Sequence, residues 1–297
     1  MMAASLSAAA RTVTVLGRGR VGRSLAGALH AAGRPVSLEP AREWRAKRER
    51  RRAGTALRGL VFLAVPDPAL PPLVKEIVAD APDAMAAFVH LSGALELDVL
   101  APLAERGWAV GSFHPLQPFP VERPPEAFRG SLVAVDASHP RLLEELGELA
   151  RTVGARPLRV GRGRRALYHA GAAMAANLTV ALAAQSESAF EAVGWEEADA
   201  RAAVLSLMRG ALEAMAEVGL PEGLSGPVRR GEVDTVARHL AALEAVPGRG
   251  AVRPIDVYRT LSLAALDLAA AAGLGAAPVS RLASLLTGPA DGRGSEP

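Results

Sequence analysis

The 297-residue chain contains no cysteine, and its lysines are limited to Lys47 and Lys75. Without thiols there can be no disulfide, no zinc–thiolate site and no thiol nucleophile, which fits a reducing cytoplasm. HExxH, paired carboxylates and histidine clusters are also missing, so no metal site is expected. With no GxSxG either, a hydrolase is disfavoured. Residues 1–10 are alanine-rich, with no basic region or apolar core of signal-peptide length, which predicts a disordered start. The most apolar later stretch, Ala170 to Ala184, is interrupted by Asn177 and bounded by Gln185. It is expected to be too short and too polar for a membrane span, leaving a soluble, cytoplasmic protein. With lysine so scarce, arginine carries the basic charge. The net charge is only +3 despite a pI near 9.9, so no nucleic-acid partner is implied.

What is present is a globular composition, 50% hydrophobic and 22% charged, long enough for two domains. Near the start, Thr12-Val13-Thr14-Val15-Leu16 reads as a β-branched strand running into Gly17, Gly19 and Gly22. A helical pattern follows at Val21, Leu25, Ala28 and Leu29. In such a strand–turn–helix unit the glycines allow a tight turn, close approach to a pyrophosphate, and close packing of helix on strand. The phosphate would rest on the helix N-terminus. The candidate cofactor ligands here are Gly17, Arg18, Gly19, Arg20, Val21 and Gly22. About twenty residues past the glycines, an acidic side chain suits NAD and an arginine suits the 2′-phosphate of NADP. Glu39 and Arg42 both fall near that distance, and basic residues crowd from Arg42 to Arg52. NADP is therefore expected over NAD, with Arg42 as first phosphate ligand and Arg45 second. A solvated basic helix is the alternative for Arg48 to Arg52.

Strand and helix signals then alternate. Strands are predicted at 35–38, 60–65, 87–91, 108–113, 132–136 and 156–160, with helices at 70–78, 98–106 and 140–153. The run Leu60-Val61-Phe62-Leu63-Ala64-Val65 is apolar throughout, as in a parallel strand covered on both faces. Past Arg164 strand signals vanish, and helices are predicted at 166–193, 196–218, 232–243, 254–272 and 278–286. The expected fold is α/β, a doubly wound parallel sheet followed by an all-α C-terminal domain. Its expected boundaries are residues 1–10 disordered, 11–162 nucleotide-binding, 163–287 helical and 288–297 a disordered tail.

Candidate chemistry sits where strands and helices end. Val65 and Pro66 close one strand and Ser92 and Gly93 follow another, positions from which open α/β sheets contact cofactor and substrate. His114, with Ser112 and Gln117, stands where a histidine can transfer a proton near neutral pH, or where it merely braces a turn. Asn177 shares a helix face with His169 and Ala173. It needs partners, either another helix or a bound substrate. Tyr168 and His169 open that helix, where a domain-interface role competes with catalysis. Arg229 and Arg230 flank a Gly-Pro turn and could hold a carboxylate through two parallel hydrogen bonds.

Several of these segments together carry a family resemblance. They are GRGRVGRSL at the first turn, LAVPD at 63–67, HLSG at 90–93, SFHPLQPF at 112–119, YHAGAAMAANLTVAL at 168–182 and GPVRRGEVDTVARHL at 226–240. The chain resembles the Rossmann-like family whose C-terminal part is known as domain of unknown function 2520. Its wider relatives are ketopantoate reductases, pyrroline-carboxylate reductases and β-hydroxyacid dehydrogenases. Glu232 stands where the family usually has aspartate. The resemblance implies an NADP-binding oxidoreductase, with a link to pantothenate synthesis. Ketopantoate reductases use a lysine four residues before a helix asparagine; that position is Ala173 here, so a proton must come from His114 or His169. The His114-Pro115 pair is similar to the histidine–proline turn of prephenate dehydrogenases, in which the histidine is catalytic.

The resulting expectation is hydride transfer from NADPH to a small 2-keto acid, 2-dehydropantoate foremost. His114, Asn177 and His169 would be catalytic, while Ser92, Gly93, Gln117, Arg229 and Arg230 would face substrate. A prephenate-like dehydrogenase, a cyclic-imine reductase and a non-catalytic NADP sensor or scaffold are the alternatives. The apolar helices further suggest a homodimer through the helical domain.

Overall fold

The computed structural model describes residues 12–41, 57–80, 85–248 and 250–288. It divides into two compact units, Met1–Asn177 and Leu178–Pro297.

In the first unit β1 (Val13–Leu16), α1 (Arg20–Ala31), β2 (Val36–Glu39), β3 (Arg58–Leu63), α2 (Leu70–Asp80), β4 (Met85–His90) and α3 (Ala101–Ala104) come first. Then follow β5 (Val110–Pro115), β6 (Leu132–Ala137), α4 (Pro140–Thr152), β7 (Arg156–Arg159) and α5 (Arg165–Ala175). The seven strands form one sheet in the order β2-β1-β3-β4-β5-β6-β7. Period-two alternation divides the apolar strand residues between its faces. Leu60 and Phe62, with Val15, Val89 and Phe113, meet Leu25 and Leu29 of α1 and Leu146 of α4. Val61 and Leu63, with Phe88, meet Leu73 and Ile77 of α2. Both faces are thus covered, which is why β3 reads as an unbroken apolar run.

The sheet is parallel except that β6 runs antiparallel to β5, pairing Phe113 with Val135 and His114 with Ala134. A parallel return needs a crossover, usually a helix. The β5–β6 link instead is rich in proline and holds only a single 3-10 turn, Pro125–Phe128, so the chain turns back beside β5. This link is tied to α1: Ser24 Oγ accepts from the Arg123 amide at 2.7 Å, and Arg23 meets Glu122 at 2.6 Å.

The helical stretch predicted at 166–193 is interrupted at Ala176, giving α5 and then α6 (Asn177–Ala192). Asn177 therefore opens a new helix and is exposed, in contrast to the buried position on one continuous face with His169 and Ala173 that its spacing predicts. Taken together, Arg165–Ala192 is long and apolar enough by length and composition to cross a membrane, with mean hydropathy 1.3, which corrects the expectation that it is too short. Its first turn carries Arg165, however, whose side chain is held by sheet residues.

The second unit contains the rest of α6, then α7 (Glu197–Val218), α8 (Leu220–Gly223), α9 (Pro227–Arg230), α10 (Val233–Glu244), α11 (Pro254–Ala271) and α12 (Ala276–Thr287). Val236, Leu240, Ile255, Leu266 and Leu282 form its core. Pro254 opens α11 in the first turn, where its missing N–H costs nothing.

Candidate functional site

At the carboxyl end of β1 the chain makes a turn that only glycine permits. Gly17 has φ +130°, and a Cβ there would lie 2.0 Å from the Ala64 carbonyl oxygen; one on Gly22 would lie 2.2 Å from the Gly17 carbonyl oxygen. These two contacts lock β1, β3 and α1 together. Gly19 differs, since a Cβ there meets nothing within 4 Å. It is the N-cap of α1, with no side-chain cap and no acidic residue in the first turn. The first-turn N–H groups and the positive end of the helix dipole thus face an open cleft, the condition under which a helix N-terminus binds an anion. This cleft of about 520 Å³ is lined by Gly19, Arg20, Val21, Gly22, Val65, Pro66, Ser92 and Gly93, with Phe119 and His169. Arg18 lies beside it with its guanidinium on the Leu38 carbonyl at 3.4 Å. The residues present fit a dinucleotide pyrophosphate. Arg42 and Arg45, the expected 2′-phosphate ligands, lie outside the described residues.

Ser92 is more a brace than a free ligand. Its hydroxyl donates to Asp67 Oδ2 at 2.9 Å and accepts from the amides of Ala94 and Leu95 at 3.2 and 3.1 Å. The loop after β4 is thereby fixed against the turn after β3.

A second group forms where α5 crosses the ends of β4 and β5. Arg165, Tyr168 and His169, at i, i+3 and i+4, share one helix face. Arg165 is fully buried, at 0% exposure. Its guanidinium donates to the Ser92 carbonyl at 3.2 Å and to Ser112 Oγ, and its backbone N–H donates to Glu96 Oε1 at 3.1 Å. Burial pulls its pKa down, while Asp136 and Glu96 oppose that shift. Among the described residues no carboxylate pairs with the guanidinium, so a positive charge stands inside the site.

Around it the titratable groups respond in the direction burial dictates. The His90 ring is fully buried, and the Ser92 backbone only partly offsets the cost of charging it. Desolvation, then the Arg165 and His114 charges, hold its pKa at about 3. Tyr168 Oη and His114 Nδ1 are 2.8 Å apart, with the rings edge to face. Desolvation, then His169 and Arg165, lower His114 to about 4. Burial raises the Tyr168 phenol to about 12 against the pull of Arg165. His114 is therefore neutral at neutral pH.

Gly93 closes the arrangement. A Cβ there would lie 2.6 Å from His169 Nδ1 and 2.8 Å from His114 Nε2, so both rings crowd this one glycine. Beyond it a second cavity of about 420 Å³ is lined by His114, Gln117, Tyr168, His169, Ala172 and Asn177, among others. His169 lines both cavities. The Gln117 side-chain nitrogen is buried, with no hydrogen-bond partner among the described residues.

Of the residues predicted from sequence, the structure gathers Gly19, Arg20, Val21, Gly22, Val65, Pro66, Ser92 and Gly93 at one cavity and His114, Gln117 and Asn177 at the other. Arg229 and Arg230 lie in the second unit. Arg229 donates to the Ala272 carbonyl at 3.0 Å, and Arg230 pairs with Glu232 at 2.5 Å. Sequence reasoning missed Arg165 and Asp67, and it gave Tyr168 an interface role rather than a partnership with His114. The i, i+3, i+4 spacing of Arg165, Tyr168 and His169 was the available signal.

Ser112→Ala is expected to leave a buried guanidinium N–H without its acceptor. The loss should be roughly 2 kcal/mol, seen as a lower urea midpoint at unchanged slope. An unchanged midpoint would show that the Arg165–Ser112 bond contributes nothing.

A glycine-turned strand and helix at the carboxyl edge of a doubly wound sheet, followed by a helical unit, define a protein of the Rossmann type. The chain carries a Rossmann-like domain, matched over residues 2–115, and a domain of unknown function (DUF2520), matched over residues 131–265. The second match begins at β6 and so includes Arg165, Tyr168 and His169. No curated protein sequence matches the chain. Among solved structures it is similar to a Bacteroides fragilis protein described as an NADP oxidoreductase (22% identity, 88% of this chain and 100% of that one, TM-score 0.65). A Thermotoga maritima protein is similar at 18% identity, 88% and 99% coverage and TM-score 0.67. The pyrroline-5-carboxylate reductase of Streptococcus pyogenes is similar at 12% identity, 94% and 98% coverage and TM-score 0.55. At these identities the likeness is one of fold.

Proposed function

We propose that the protein is an NADP(H)-dependent reductase of a small 2-keto acid. The observation that carries this reading is the meeting of two cavities at His169, whose ring crowds Gly93. One is fitted to a dinucleotide, the other is lined by Gln117, whose side-chain nitrogen has no hydrogen-bond partner among the described residues, and by the His114–Tyr168 pair. When bound, the dinucleotide supplies a hydride to a carbonyl carbon. The glycine turn with Arg18, Arg20, Val21, Val65 and Pro66 would hold it, Ser92 and Gly93 would close the cleft, and Arg42 and Arg45 would select the 2′-phosphate. Gln117 and Asn177 orient the carbonyl. The proton for the new alkoxide comes from the side of the cavity occupied by His114 and His169.

A cavity of about 420 Å³ suits a small acid, and 2-dehydropantoate is the substrate we favour. The expected result is one NADPH oxidised per 2-dehydropantoate reduced. NADPH binding without oxidation across a panel of 2-keto acids would contradict the reading and favour a sensor or scaffold, consistent with Ala173 in place of a lysine. Faster turnover of pyrroline carboxylate or prephenate would reassign the substrate to a cyclic imine or cyclic acid, which the Ala172, Ala175 and Ala176 wall has room to admit.

The helical unit also exposes Val180, Leu205, Leu207 and Leu212 to more than half of their full areas. We take this apolar surface as the seat of a homodimer. Light scattering should return twice the chain mass of 30.7 kDa, and a monomer would refute the pairing.

A further inference from the structure

We propose that Tyr168 Oη is the atom that protonates the substrate's carbonyl oxygen, and that His114 acts through it as a positioning and relay residue. This rests on the reductase reading above and assigns its proton. Tyr168 lines the second cavity with Gln117 and Asn177, the groups that would receive a carbonyl. Its hydroxyl is hydrogen-bonded to His114 Nδ1, at 2.8 Å. The opposite edge of that imidazole, Nε2, faces Gly93 beside His169 Nδ1. His169 is exposed and lines both cavities, so a path to water runs from His169 past His114 to Tyr168.

The protonation states favour this direction of transfer. His114 is neutral at neutral pH and has no spare proton to give as an imidazolium. Burial keeps the phenol protonated until a much stronger base forms next to it. We assign the Nδ1–H tautomer to His114, which then donates to Tyr168 Oη and leaves the phenolic hydrogen free to point into the cavity. As the carbonyl carbon gains a hydride, the π pair of the C=O bond moves to oxygen, and that oxygen takes the Tyr168 proton. The phenolate, formed near the buried Arg165 charge, takes the Nδ1 proton of His114 while Nε2 takes one from water. One hydride and one solvent proton are consumed, His114 ends neutral, and its tautomers re-equilibrate by exchange with water between turnovers.

The test compares wild type, Tyr168→Phe and His114→Asn in NADPH oxidation with the 2-keto acid panel, followed by a spectroscopic arm. Tyr168→Phe keeps the ring and loses the proton, so kcat should fall about 100-fold or more, with KM and NADPH affinity within about threefold of wild type. His114→Asn keeps a donor near the Nδ1 position but cannot relay, so it should lose less kcat than Tyr168→Phe. Wild-type kcat should show no inflection near the ordinary histidine value of about 6.5. If wild type turns over and Tyr168→Phe stays within about fivefold of it while His114→Asn is inactive, the assignment is overturned and the proton is His114's.

The spectroscopic arm needs no turnover. The chain has two tyrosines, so in Tyr258→Phe the phenol absorption reports Tyr168 alone. Oxamate added to the NADPH complex should shift that band. A shifted band with no turnover by wild type would refute the reductase reading and keep Tyr168 as the group that meets a carbonyl oxygen. An unchanged band with no turnover would remove both.

Discussion

Gly19→Asp should raise the dissociation constant for NADPH by about 100-fold or more while leaving the apo-protein as stable as wild type or slightly more so. The opposite signs come from one position. Gly19 is the N-cap of α1, in extended backbone at φ −67°, with open space where a Cβ would go. Aspartate is a better N-cap than glycine by a few tenths of a kcal/mol, because its carboxylate accepts from the first-turn N–H groups. Those same donors and that same dipole are what a pyrophosphate would use. The carboxylate occupies the donors and repels the phosphates, and a 100-fold loss corresponds to about 2.7 kcal/mol. Titration calorimetry with NADPH and urea denaturation of the apo-protein read the two halves separately. Unchanged NADPH affinity would show that this helix end does not hold the cofactor.

The second large effect is on acid stability. His90 and His114 are held at about 3 and about 4 in the folded protein, whereas an unfolded histidine titrates near 6.5. Above pH 6.5 both states are neutral and the two histidines contribute no pH dependence. Below it the unfolded chain binds protons that the folded chain refuses, so stability falls as pH falls. Each histidine can lower stability by up to about 1.4 kcal/mol per pH unit, and several kcal/mol should be gone by pH 4. That is a large share of the roughly 5–15 kcal/mol of an ordinary domain. Urea midpoints should therefore decline steeply between pH 6.5 and 4.5, above the range in which most carboxylates titrate. His90→Leu, which removes one of the two groups, should flatten the decline. A midpoint unchanged over that window would mean that neither ring is kept neutral by burial.

The seven strands and the helices that follow them were readable from local pattern: β-branched and apolar runs ending at glycine or proline, and helices opened by Pro140 and Pro254. The glycine turn was equally plain, because Gly17, Gly19 and Gly22 act within a few residues of one another. The reversal at β6 was less visible. Strand direction is decided by the connection, and the only hint was that 116–131 lacks a helical period while carrying four prolines, at 118, 120, 124 and 125, directly after Pro115.

Side-chain partnerships over long separations were the least legible. Tyr168 meets His114 across 54 positions and Arg165 meets Ser112 across 53. Nothing local ties a helix face to a particular strand end, so Tyr168 read as an interface residue and Arg165 was not singled out. Asn177 shows the reverse error. Its i, i+4, i+8 spacing from His169 assumed one helix, and the interruption at Ala176 removes that periodicity, yet the residue still reaches the same cavity.

Oxidation of NADPH by the purified protein in the presence of small 2-keto acids, 2-dehydropantoate first, tests the proposed reduction most directly. The predicted result is stoichiometric consumption that Gly19→Asp suppresses through cofactor affinity and Tyr168→Phe suppresses through kcat. Tight NADPH binding with no oxidation by any member of the panel would contradict it.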